Sequence, residues 1–174
     1  MLAGSHLLFG NALALSASST PLSAFLTGLI SHHIGDALPH IDGNIFRENE
    51  HDDTFLNVKQ WPIKLWVLFL LDVMLAVVVL KFTVLSAPEK IGTSWRLLFF
   101  WASIGSVLPD VINFTNLREL LRKTLLGKAY LNFHKNFHFK ISSKSRKGKI
   151  FFAFLAQSIV LLLSIITLLG IVAS

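Results

Sequence analysis

The chain has 174 residues, 53% of them hydrophobic and 15% charged, with a mean hydropathy of +0.61. A soluble domain of this size needs more charge to wet its surface, so the composition describes a one-domain integral membrane protein. No cysteine is present, which excludes disulfides, thiolate metal sites and cysteine nucleophiles and leaves His, Asp and Glu as the metal ligands.

The first apolar segment, about 3–18, carries His6 and Asn11; it lacks a basic leading region and is read as a retained helix rather than a cleaved signal. Thr20-Pro21 predicts an N-cap and a first-turn proline opening a second helix, about 21–38. These two segments are short, and both a pair of crossings and a re-entrant hairpin satisfy the pattern. An acidic stretch, 42–60, follows and reads as a loop. The third helix, about 62–86, is the cleanest span, with Trp61 and Trp66 placed as interfacial anchors. The fourth, about 94–108, ends at Pro109-Asp110, and the last, about 150–173, is unbroken.

Between these two, residues 116–148 are basic. Leu117, Leu120, Leu121, Leu125 and Leu131 fall near helical spacing, which predicts one amphipathic helix on the membrane surface. The expected fold is all-α: a membrane bundle of about five apolar helices with an interfacial helix beside it.

The formal charge is +6, and most of the Lys and Arg lie between Arg118 and Lys149. No nucleic-acid motif accompanies them, and positive charge beside a span marks its cytoplasmic flank. The expected partner is membrane lipid, with anionic headgroups meeting the Arg118–Lys149 segment. Alternating crossings put the N-terminus, the acidic loop and the basic segment on the cytoplasmic side.

The same alternation sends His6, His32, Asp36, His40, Asp110, His134 and His138 toward one face of the bilayer. His32, Asp36 and His40 are spaced by four, predicting a ladder on one helical face, and His134 and His138 repeat that spacing after the surface helix. Imidazoles mixed with carboxylates suit zinc, then manganese or iron. The bland readings are a helix exit for His40 and Asp42, an interfacial histidine for His6, a loop acid for Asp110 and headgroup contacts for His134 and His138. His33, on another azimuth, reads as a packing or outer-sphere residue, and His51 in the acidic loop as an accessory. Asp72 lies about ten residues into the third span, where a carboxylate must pair or face a cavity. An interhelical hydrogen bond, a ligand histidine and a metal ion are each a fitting partner.

SHLLFGNALA, HHIGDALPHID and GSVLPDVINF resemble motifs of small bacterial inner-membrane proteins in a metal-dependent hydrolase family. That family is itself similar to zinc-dependent phospholipase C, an all-helical fold with a His/Asp site. The resemblance implies His6, His32, Asp36 and Asp110 as ligands, and the similarity of HKNFHF to a His-rich family segment adds His134 and His138. In this chain the motif order is rearranged, Val-Ile-Asn follows LPD, and no Arg-Gly follows His134. The expected function is phosphoester hydrolysis of a phospholipid or other anionic lipid at the cytoplasmic interface of a bacterial inner membrane, with Asp36 or Asp110 orienting the nucleophile or a ligand imidazole. The other readings are a metal or proton transporter using Asp72 as relay, and a non-catalytic membrane adaptor.

Overall fold

A computed structural model describes residues 1–41, 61–86, 92–137 and 146–173, and among them every regular element is a helix. The helices are α1 (Ala3–Ala17), α2 (Pro21–Ala37), α3 (Ile63–Ser86), α4 (Gly92–Phe114), α5 (Leu117–Leu121), α6 (Leu125–Phe137) and α7 (Arg146–Ala173). Three are long and apolar enough to cross a membrane: α3, the Trp95–Asn113 part of α4, and Lys147–Ala173 of α7. Their outer faces carry exposed Leu70, Met74, Val78, Leu162 and Ile166, as expected of surfaces solvated by lipid rather than water. α1 and α2, at 15 and 17 residues, fall at or below the short end of spanning length.

α1 is the centre of the molecule. It packs against α2 and α4 on one side and α3 and α7 on the other. Its composition explains this position, because small residues let neighbouring backbones approach closely. A Cβ on Gly10 would strike the Ser106 side chain, and one on Gly4 would strike the Asp72 carbonyl. Leu8 and Ala12 pack with Ala76, Leu80 and Leu168 of the two flanking spans. The tightest crossing joins α2 to α4 through a reciprocal pair: Gly28 abuts the Ala102 carbonyl and Gly105 abuts the Phe25 carbonyl. Asn11 ties α1 to α4, donating from Nδ2 to Ser103 Oγ at 2.9 Å.

The start of α2 is as predicted. Thr20 Oγ1 accepts from Ser23 N at 3.2 Å, Ser23 Oγ accepts from Thr20 N at 3.0 Å, and Pro21 occupies the first turn. Pro39 then disfavours helical geometry at Leu38, and α2 stops at Ala37.

Three expectations require correction. α4 does not end at Leu108 but continues through Pro109 to Phe114, because packing holds the helix across the proline. The missing N–H and the ring loosen that turn. The interfacial helix is not continuous: it breaks over residues 122–124, where Thr124 Oγ1 accepts from Gly127 N at 3.0 Å and caps α6 as a new helix. The last helix begins at Arg146, a turn earlier than its apolar run.

Candidate metal centre

The site forms where the first turns of α1, the last two turns of α2, the Pro109 turn of α4 and the last turn of α6 meet. Asp36, one turn after His32 on α2, is its hub and is 1% exposed. His6 Nε2 lies 3.1 Å from Asp36 Oδ1, His32 Nε2 lies 3.1 Å from Asp36 Oδ2, and the Met1 nitrogen lies 2.8 Å from Oδ1. His32 Nε2 also faces Asp110 Oδ1 at 3.8 Å. Two sets of side chains could each hold an ion, His6/His32/Asp36 and His32/Asp110/His134, with ligand atoms within 4.8 Å of one another in each. The rings are layered: His6 stacks on His32 at 3.9 Å and 21°, and His134 lies on the same ring at 5.5 Å and 26°.

Local backbone chemistry sets the imidazole tautomer. His32 Nδ1 is 2.7 Å from the Ser106 carbonyl, in the α4 turn that Pro109 loosens. A carbonyl only accepts, so Nδ1 carries a proton, and Nε2 is the ring nitrogen that faces Asp36 and Asp110. His40 repeats the arrangement, with Nδ1 donating to the Leu38 carbonyl at 2.7 Å and Nε2 3.9 Å from Asp36 Oδ1. An Nδ1–H held by a backbone carbonyl is the usual outer-sphere support of a metal-ligating histidine. His6 cannot satisfy both ring nitrogens: with Nε2 on Asp36, the buried Nδ1 has no hydrogen-bond partner among the described residues.

The donor set fits a divalent ion. Lone pairs of neutral imidazoles facing buried carboxylates repel unless a cation or proton lies between them. Ligands each 2.0–2.1 Å from a tetrahedral ion sit roughly 3.3 Å apart, and the 3.1 and 3.8 Å separations around His32 Nε2 bracket that edge. His32 has a single nitrogen available for both triads, so the two describe one shared centre.

The structure thus brings together His6, His32, Asp36, Asp110 and His134. His134 stands on α6 itself, not after the surface helix. His40 is adjacent but not on the predicted ladder; it lies past the end of α2, because Pro39 stops the helix, and reaches back to Asp36 from extended chain. His33 turns to α6, its ring 5.2 Å from Phe133 and 5.5 Å from His134, and so docks α6 on α2. His138, Asp42 and His51 lie outside the described residues.

Asp72 touches none of the histidines named in these contacts. It accepts from Ser5 N at 3.0 Å and Ser5 Oγ at 2.5 Å, capping the open amides at the start of α1. Ser5 Oγ in turn accepts from Gln157 Nε2 at 2.9 Å, and Gln157 Oε1 accepts from Ile41 N at 3.0 Å. This chain of bonds links α3, α1, α7 and the exit of α2 immediately beside His6 and His40.

Tyr130 is a residue that the sequence reading passes over. It is one turn before His134, its ring stacks on that histidine at 6.2 Å and 20°, and its buried hydroxyl has no hydrogen-bond partner among the described residues. Burial and the nearby Asp110 and Asp36 charges push its phenol up to about 12. The only available signal is that the single Tyr of the chain stands four residues before a histidine. Comparison with protein-family models, curated proteins and solved structures finds no match to this chain.

Proposed function

We propose that the chain is a metal-dependent membrane hydrolase that cleaves a phosphoester of a phospholipid or other anionic lipid. The observation that carries this reading is the convergence of His6, His32, Asp36, Asp110 and His134 from four helices, with His32 Nε2 directed at both carboxylates. Asp36 Oδ1 meets the Met1 ammonium at 2.8 Å, and stacked imidazoles 3.9 Å apart repel if both are protonated, so a shared divalent ion at His32 Nε2 would offset the remaining Asp36 Oδ2 and Asp110. Zinc suits the donors best, then manganese or iron. When bound, such an ion supplies Lewis acidity, making water nucleophilic at neutral pH and polarising a phosphoryl oxygen.

The exposures of the two carboxylates divide their roles. Asp36, 1% exposed among His6, His32 and His40, anchors the ligands. Asp110 is 20% exposed and stands on the open side, where it accepts a proton from the attacking water. The Tyr130 hydroxyl, a phenol throughout the neutral range, donates to a phosphate oxygen. Water adds at phosphorus, the bond to the leaving alcohol breaks, and the alcohol departs with the proton that Asp110 took from the water.

The same reading places α1 and α2 as a short fourth and fifth crossing within the bundle. The N-terminus and the 116–148 segment lie at the cytoplasmic face, as the Lys and Arg distribution favours. Metal analysis of detergent-purified protein, wild type beside His32→Ala and Asp110→Ala, tests the centre. One zinc per chain, lost in the variants, supports it; folded wild type that takes up no divalent metal sinks it. Release of phosphate or phosphoalcohol from lipid substrates then tests catalysis.

A further inference from the structure

A groove of about 440 Å³ runs between the first turns of α3 and α7. Ile63, Val67 and Leu68 form one wall and Ile150 and Phe154 the other, while Ile41 closes the inner end. Ile63/Val67 and Ile150/Phe154 are each four residues apart, so each pair lines one face of its helix. The lining is apolar throughout, Lys64 contributing its methylene stem while its side chain is exposed in the first turn of α3. Lys147, exposed near the start of α7, adds positive charge at the same end of the spans. Lipid-facing residues on both helices continue below the groove, among them Leu71, Met74 and Leu155.

We propose that this groove seats one anionic phospholipid, with the glycerol-proximal part of an acyl chain between α3 and α7 and its phosphate at Lys64 and Lys147. The volume lies within the roughly 300–1,000 Å³ of small-molecule sites. Four residues of helix give the walls a length of only about 6 Å, enough for the first methylenes below a headgroup but not for a whole chain. A second copy of this chain packing helix against helix has no need of a cation at the rim, whereas a phosphate does.

The groove's closed end adjoins the metal centre. Ile41 follows His40 directly, and its N–H is held by Gln157, whose other end holds Ser5 beside His6. A lipid lodged here would lie one hydrogen-bonded relay, Ile41 to Gln157 to Ser5, from His6 and His40. As the substrate seat this inference rests on the hydrolase reading; as a lipid site it does not.

The test uses the full chain in nanodiscs, with a phosphatidylglycerol probe carrying a diazirine near the top of one acyl chain. Labelled peptides should come from residues 63–68 and 150–154, and unlabelled phosphatidylglycerol should compete while phosphatidylcholine does not. Lys64→Gln should reduce labelling about fivefold, the worth of one surface cation. Val67→Trp, which fills the groove from an exposed position, should abolish labelling while leaving the helical circular dichroism intact. Equal labelling by a phosphatidylcholine probe, indifference to both variants, or crosslinking of α3 to a second copy would each overturn the proposal. Metal content and phosphoester turnover of the same wild-type sample separate the two readings: labelling with neither metal nor turnover retains the lipid site and removes the hydrolase, whereas metal and turnover without labelling retain the hydrolase and remove the lipid site.

Discussion

Asp72 on α3 accepts hydrogen bonds from both the backbone nitrogen and the hydroxyl of Ser5 on α1, at 3.0 and 2.5 Å, although 67 residues separate them. A carboxylate at the positive end of a buried helix offsets the open amides of its first turn and is itself offset by them. The contact fixes the height and rotation of α1, and with it the ring of His6. Removal of the carboxylate in Asp72→Ala should cost about 0.5–2 kcal/mol of stability, the usual worth of a cap. Metal affinity should fall roughly 10–100-fold, as when a supporting residue is lost. Asp72→Asn, which keeps one acceptor, should recover part of both. A proton-relay role requires instead that Asp72→Asn abolish ion movement in proteoliposomes while leaving metal binding intact, and that pattern would displace the capping account.

One divalent ion per chain is expected, since His32 Nε2 is common to both triads and its Nδ1 is held by Ser106. Ligand imidazoles must be deprotonated to bind, so metal should be released as the pH falls, at a midpoint that the titration reads. Inductively coupled plasma analysis after dialysis over a pH series reads both numbers. Two ions per chain at saturation would contradict the shared-ligand geometry.

His32→Ala and Asp36→Ala should lose metal outright, whereas His40→Ala should weaken it less, because His40 Nε2 stands 3.9 Å from Asp36. Isothermal titration with zinc distinguishes these, and equal losses at His40 and His32 would make His40 a full ligand.

The Tyr130 phenol should ionise near pH 12 rather than 10, since burial and the Asp110 and Asp36 charges oppose a phenolate. Tyr130 is the single Tyr, so ultraviolet titration of tyrosinate absorption reports on it alone. A midpoint near 10 in folded protein would place the hydroxyl in solvent. If the proposed reaction holds, Tyr130→Phe should lower kcat more than it raises KM.

The α2–α4 crossing should tolerate no side chain at Gly28. A Cβ there meets the Ala102 carbonyl, a backbone atom that cannot turn aside. Gly28→Ala should cost about 1–3 kcal/mol and part His32 from Ser106. Thermal unfolding in detergent should show the loss, while Gly170→Ala, whose Cβ meets nothing, should be silent.

The helical class, the three helices long and apolar enough to cross a membrane and the N-cap at Thr20 are legible in the sequence, because each depends on composition or on residues within a turn of one another. The pairing of His32 with Asp36 is legible for the same reason: four residues along α2 put both on one face. His40 breaks that rule because Pro39 intervenes. Other features belong to the tertiary structure alone. Whether α4 survives Pro109 depends on its packing against α1 and α2. The tautomer of His32 depends on a carbonyl 74 residues away, and Tyr130 joins the site only because His33 and Phe133 dock α6 on α2. Asp72 makes the division plain. Hydropathy alone marks it as a carboxylate that needs a partner, but its partner is the end of another helix, and only the folded bundle brings that end within reach.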